Sequence, residues 1–201
     1  MVDHAGRDPI DVALTLLAEQ GFDATSMAQI ADATGIPPAD VVATIGTKDA
    51  IVLDVARAML VAVVEALADV DTQTPVVEAL MAAHSRVVAD ILAGDGPVTP
   101  GRMRAMSKAI TSSRDLQELV AAQRVGVLTD VLADRLGTSP TDNRVSHGLN
   151  LWSAVLAGTY MDVLDRFGRF DLDVDAEAPE SMRDRLNRAY RIITGKPAGE
   201  Q

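Results

Sequence analysis

The chain has 201 residues, 29 acidic and 18 basic, for a net charge of −11. That length allows one large or two small domains, and that charge is unfavourable for broad attraction to polyanions. There is no cysteine, which excludes disulfides, thiolate metal sites and cysteine nucleophiles. No apolar run approaches the roughly 20 residues that span a bilayer, and MVDHAGRDP at the start lacks the basic and apolar parts of a secretion signal, so a cytoplasmic protein with no membrane partner is expected.

Ile10, Ala13, Leu14 and Leu17 recur at the spacing of one helix face, and Gly21 closes that helix with Phe22 beneath it. Next comes TSMAQIADATGIPPADVVATIGTKDAI, residues 25–51. Ser26 and Gln29 stand at capping-box spacing, and Met27, Ile30 and Ala31 form the apolar stripe behind them. Gly35 follows where a left-handed residue ends a helix at little cost. Pro37 and Pro38 are expected to open a second short helix, with Val41, Val42 and Ile45 on its apolar positions and Gly46 at its end. Thr47 is placed to cap a third helix from Lys48. Two short helices around a glycine-containing turn make a helix-turn-helix.

The helix from Lys48 to about Val70 carries Ile51, Val52, Val55, Met59, Val63 and Leu67 on one side, and is too long for a small first domain alone. After DTQTP, a helix from Val76 to Ala93 turns Leu80, His84, Val87, Val88 and Ile91 inward. GDGPVTPG is a loop. A short helix over 102–110 follows, then one from Arg114 to Leu136 capped by Ser112 or Ser113. The helix over 141–167 is apolar on more than one face (Leu149, Leu151, Trp152, Val155, Leu156, Tyr160, Met161), so it must be buried on two sides, and a partner subunit supplies the second. A last helix runs from about Pro179 to Ile193. No segment has the period of a strand. The chain reads as all-α with about nine helices, divided into 1–55 and 56–201.

The stretch AEQGFDATSMAQIADATGI followed by GTKDAI resembles the N-terminal domain of the TetR family of bacterial transcription regulators. The resemblance implies a helix-turn-helix DNA-binding domain over 1–55 and a helical ligand-binding and dimerisation domain over 56–201. It implies a homodimer on a palindromic operator in double-stranded DNA, released or modulated by a small-molecule effector, acting as a repressor. Carried over residue by residue, DNA contacts fall on Thr25, Ser26, Pro37, Ala39, Asp40, Ala43, Thr44 and Lys48. Lys48 matches the family lysine that reaches phosphate. The reading helix departs from the family pattern, since PPADVVATI has no basic residue, amide or aromatic, and Asp40 would repel phosphate. Residues 1–55 hold two basic residues, Arg7 and Lys48, against nine acidic ones, a net of −7.

In the second domain an apolar ligand site is expected, lined by some of Met81, His84, Met103, Met106, Gln123, Trp152 and Tyr160. His84 is either a hydrogen-bonded core histidine or a pocket contact, and the methionines are core filler or adaptable pocket wall. Arg102 and Arg104 flank either a solvated helix start or an anion-binding pocket mouth. The run from Arg102 to Leu136 is similar to mycofactocin-type regulators, which implies an acyl-CoA-like ligand. DLDVDAEAPE (171–180) resembles the start of a calcium loop, but Ala176 and Met182 stand where glycine and glutamate are required, so no metal is expected. No nucleophile–base pair, phosphate loop or cofactor motif is legible, so an enzyme and a cofactor are not expected. The competing reading is a dimer of this fold that has lost DNA reading and serves as a ligand-binding or protein-interaction module.

Overall fold

The computed structural model describes residues 7–167 and 181–196, with 161–167 through their backbone alone. Nine helices lie among the described residues: α1 (Pro9–Gln20), α2 (Met27–Thr34), α3 (Val41–Ile45), α4 (Lys48–Ala68), α5 (Val76–Ala93), α6 (Pro100–Thr111), α7 (Arg114–Leu136), α8 (Asn143–Phe167) and α9 (Met182–Thr194). The chain is all-helical there. The acidic 171–180 stretch lies outside the described residues. Among the described residues, no helix is long and apolar enough to cross a membrane.

The helices group into two units, one of residues 1–58 and 98–123, the other of 59–97 and 124–201. The first unit therefore takes in α6 and the start of α7 as well as the head, a grouping the division at 55/56 does not contain. Its core is built on Val12, Ala13, Leu14 and Leu17 of α1, with Ile30, Ala31, Val41 and Ile51, all buried. α6 packs along α1 and brings Met103, Met106 and Ala109 into this core. Three polar ties hold that packing. Arg102 donates to Asp8 and to Asp11, each at 2.6 Å. The Phe22 amide donates to Ser112 Oγ at 2.9 Å, and Ser113 Oγ donates to Asp23 at 2.8 Å. Ser113 also caps α7 by accepting from the Leu116 amide.

In the second unit α5 packs against α8 and α9, and α8 against α9. Leu80, Val88, Ile91, Trp152, Val155 and Leu186 make its centre, each at most 1 % exposed. Gly148 lets α5 approach α8, since a Cβ there would meet Val76 Cγ1 at 3.0 Å. Arg135 donates to the carbonyls of Leu67, Val70 and Asp71 and so closes the C-terminal end of α4.

Candidate DNA-binding and ligand-binding sites

The head is organised by the start of α2. Ser26 Oγ accepts from the Gln29 amide at 3.2 Å while Gln29 Oε1 accepts from the Ser26 amide at 2.8 Å, the reciprocal box expected from the spacing. Gly35 ends α2 in the left-handed region, with φ of 71°. Beyond it the structure differs from the sequence reading. The prolines do not open α3, which begins only at Val41. Pro38 disfavours helical backbone at Pro37, the residue before it. The chain instead makes a turn in which the Pro37 carbonyl accepts from the amides of Asp40 (2.8 Å) and Val41 (3.1 Å). Val41 is the buried anchor, and Pro37, Pro38, Ala39, Asp40, Val42, Ala43 and Thr44 are exposed.

Of the residues expected at DNA, Ser26, Pro37, Ala39, Asp40, Ala43 and Thr44 are exposed on the head. Thr44 Oγ1 donates to its own helix at the Asp40 carbonyl, 2.8 Å, which leaves its oxygen as an acceptor. Two others point inward. Thr25 is 1 % exposed and its hydroxyl donates to the Gly21 carbonyl at 2.8 Å. Lys48 Nζ donates to the carbonyls of Phe22 (2.8 Å) and Thr25 (2.9 Å) and lies 4.4 Å from the centre of the Phe22 ring. The loop between α1 and α2 ends in carbonyls that need donors, and the ammonium supplies them. Lys48 is thus a clasp within the head, with one N–H of its half-buried ammonium beyond these two bonds.

Residues 10–55 match the family model of bacterial regulatory proteins of the tetR family. The head has the TetR-type helix-turn-helix. A crystal structure of the TetR family transcriptional regulator PfmR from Thermus thermophilus is similar over 97 % of this chain and 100 % of that one, at 19 % identity and a TM-score of 0.48. No curated protein matches the chain. With the TetR-type head in place, the surface offered beyond α2 is small, apolar and acidic, and residues 26–47 hold no basic side chain.

The seven residues expected around a ligand divide between the units. Met103, Met106 and Gln123 belong to the first. Both methionines are buried there, and Gln123 Nε2 donates to the Leu53 carbonyl at 3.2 Å. Met81, His84, Trp152 and Tyr160 belong to the second, where the last three form one cluster. His84 Nε2 and the Tyr160 hydroxyl share a hydrogen bond of 3.1 Å, and both Trp152 and Tyr160 meet the imidazole edge-on, at 6.1 and 6.4 Å between centroids. Burial, helped by the nearby Arg124 charge, pushes the His84 pKa down to about 4, so the ring is neutral at pH 7. Burial also pushes the Tyr160 hydroxyl up to about 12, which keeps it protonated.

Arg124 completes this cluster and was not among the expected residues. Its guanidinium stands 5.3 Å from the centre of the Trp152 ring and donates to Ser153 Oγ at 3.0 Å. A signal for it is present in the sequence. Leu116, Val120, Arg124, Leu128 and Leu132 follow at intervals of four, so the charge sits on the apolar stripe of α7. Arg102, by contrast, is held by Asp8 and Asp11, so the pocket-mouth reading of that arginine is withdrawn. A separate recess of about 420 Å³ opens in the second unit beside Glu65, Asp69, Asp90 and Asp95, with Arg86 paired to Asp69. Its acidic wall does not match the apolar site that was expected.

Proposed function

We propose that the protein is a homodimeric, ligand-responsive transcription regulator, a repressor that leaves its operator when a small apolar molecule enters the second unit. The supporting observation is the TetR-type head, with its capping box, left-handed Gly35 and exposed 37–44 surface in sequence. Two such heads would enter successive major grooves about 34–36 Å apart. The ligand acts only by preferring the arrangement that does not fit DNA. An acyl-type ligand agrees with the sequence of 102–136 and with the His84–Trp152–Tyr160 cluster. The dimer is assigned to α8 and α9, on the apolar faces of α8 read in its sequence and on Ile192 and Ile193 of α9, which are 76 % and 42 % exposed. A salt-titrated binding assay on the DNA upstream of its own coding region tests the proposal. Saturable binding at low salt that is lost on adding ligand supports it, and no binding at any salt contradicts it.

One observation favours the second reading, a dimer that no longer reads DNA. Lys48 is the single basic side chain between Ser26 and Asp54, and two of its three N–H donors are taken up by Phe22 and Thr25. Under that reading the ligand response persists and the DNA assay is blank.

A further inference from the structure

We infer that Arg124 and Trp152 form the seat of an oxyanion, the charged end of the otherwise apolar ligand that enters the second unit. The inference rests on the ligand-responsive reading above and adds the chemistry of the ligand.

One unmatched donor and one charge without a counter-ion among the described residues carry it. Trp152 is 1 % exposed, and its indole Nε1–H finds no acceptor among the described residues. A buried indole N–H ordinarily has a partner. Arg124 is half-buried, and its hydrogen bond is to a neutral hydroxyl, Ser153 Oγ at 3.0 Å. No carboxylate pairs with it among the described residues. A guanidinium removed from water without an anion is costly, and stacking on an indole offsets only part of that cost. These two deficits are adjacent, since the guanidinium lies 5.3 Å from the Trp152 ring centre. Both are relieved by the same thing, an acceptor with negative charge.

The surroundings narrow the class further. An oxyanion accepts from a guanidinium through two parallel N–H groups. His84 is neutral and bonded to Tyr160, so it neither supplies a competing positive charge nor takes the place of the anion. The faces of α5 and α8 that carry His84 and Trp152 are mainly apolar, with Leu80, Met81, Val88 and Val155 all buried and the Thr159 hydroxyl donated to the Val155 carbonyl. A ligand of one terminal oxyanion on an apolar body fits such a wall. A cation does not, because the cluster presents donors and no carboxylate among the described residues.

The test uses the full-length protein and two matched series, straight-chain carboxylates from butyrate to hexadecanoate and the corresponding alcohols. Binding is read from the fluorescence of Trp152, the sole tryptophan, and from the thermal midpoint. At the best chain length the carboxylate should bind at least about tenfold tighter than the alcohol, the strength of a charge-assisted contact. Arg124→Met should reduce that preference to about threefold or less, by weakening the carboxylates far more than the alcohols. Without ligand, Arg124→Met should not lower the thermal midpoint, because it removes a half-buried charge that no carboxylate among the described residues offsets. A merely structural arginine would lower it. Trp152→Phe keeps an aromatic ring and removes the N–H, and should weaken the carboxylate about tenfold by thermal shift, as loss of a buried donor does. If alcohols bind as well as acids, or if the preference survives in Arg124→Met, the oxyanion seat is wrong while the ligand-responsive reading stands. If neither series binds at any length, both are overturned. Should Arg124→Met fail to fold, the arginine is structural and the inference falls, whatever Trp152→Phe does.

Discussion

Single side chains decide more here than the pattern around them. Lys48 was legible as a family position of its motif but not as a clasp, because a motif states which residue stands where and not what its donors meet. Its two bonds to the Phe22 and Thr25 carbonyls are of the charged kind worth about 1.5–3 kcal/mol each when the partner is left dry, and less where water replaces it. Lys48→Met should therefore destabilise the protein by about 1–3 kcal/mol in urea unfolding. Its loss of DNA affinity should follow from disorder of the head, so that it weakens at high temperature more than at low. A Lys48→Met protein as stable as the wild type would show that the clasp is unimportant. His84 gives a prediction in pH. Its pKa is about 4 in the folded protein against 6.5 for the free side chain, so between those values the unfolded chain binds the extra proton and stability falls as pH falls. The loss is complete near pH 4 and amounts to about 3 kcal/mol by the size of the shift. Thermal midpoints of wild type and His84→Gln, compared at pH 7.5 and pH 5, should show the wild type losing more. Equal losses in the two proteins would mean that His84 is not held neutral.

At the scale of elements, helix spacing was enough to place all nine described helices, because apolar residues at three and four apart state where a helix is and which face is buried. It did not reveal partners. The packing of α6 on α1 depends on Arg102 meeting Asp8 and Asp11, contacts of 94 and 91 residues in sequence separation that no local pattern encodes. The start of α3 was misplaced for a local reason that could have been applied: Pro38 holds Pro37 out of helical backbone. The Arg102 clasp is more than a third open on its aspartate side, so its worth is small. Arg102→Met should cost about 1 kcal/mol or less, and the same change in an Asp8→Asn, Asp11→Asn background should cost nearly nothing. A full additive cost in that double-mutant cycle, read by urea unfolding, would show that Arg102 acts through packing rather than through the two carboxylates.

For the whole molecule, the exposed Ile192 and Ile193 of α9 support the proposed two-fold dimer, although α8 exposes no large apolar side chain among the described residues. Ile192→Glu with Ile193→Glu should give monomers at micromolar concentration by sedimentation, and a dimer that survives both changes would move the interface elsewhere. The DNA-facing surface is the part least legible in the sequence. The motif specifies the scaffold that presents residues 37–44, while the residues presented are free to vary with the operator. Here they carry one charge, that of Asp40. On the proposed reading phosphate contacts are few, since the hydroxyl protons of Ser26 and Thr44 are engaged by Gln29 Oε1 and the Asp40 carbonyl, which leaves chiefly backbone amides and the remaining N–H of Lys48. With at most one lysine per head, the salt slope of binding by a dimer should be about −2 or shallower, against the roughly −10 of a strongly basic repressor. Asp40→Asn removes a repulsive charge and should tighten non-specific binding while altering sequence preference.

Selection from a random duplex DNA pool at low salt, run in parallel on wild type and Asp40→Asn, tests the central claim most directly. A regulator of this kind should enrich a palindromic site with half-sites about one helical turn apart, the two proteins differing at the base nearest residue 40. Pools that stay random with both proteins would contradict it, and would mean that the TetR-type head has been kept for a purpose other than reading DNA.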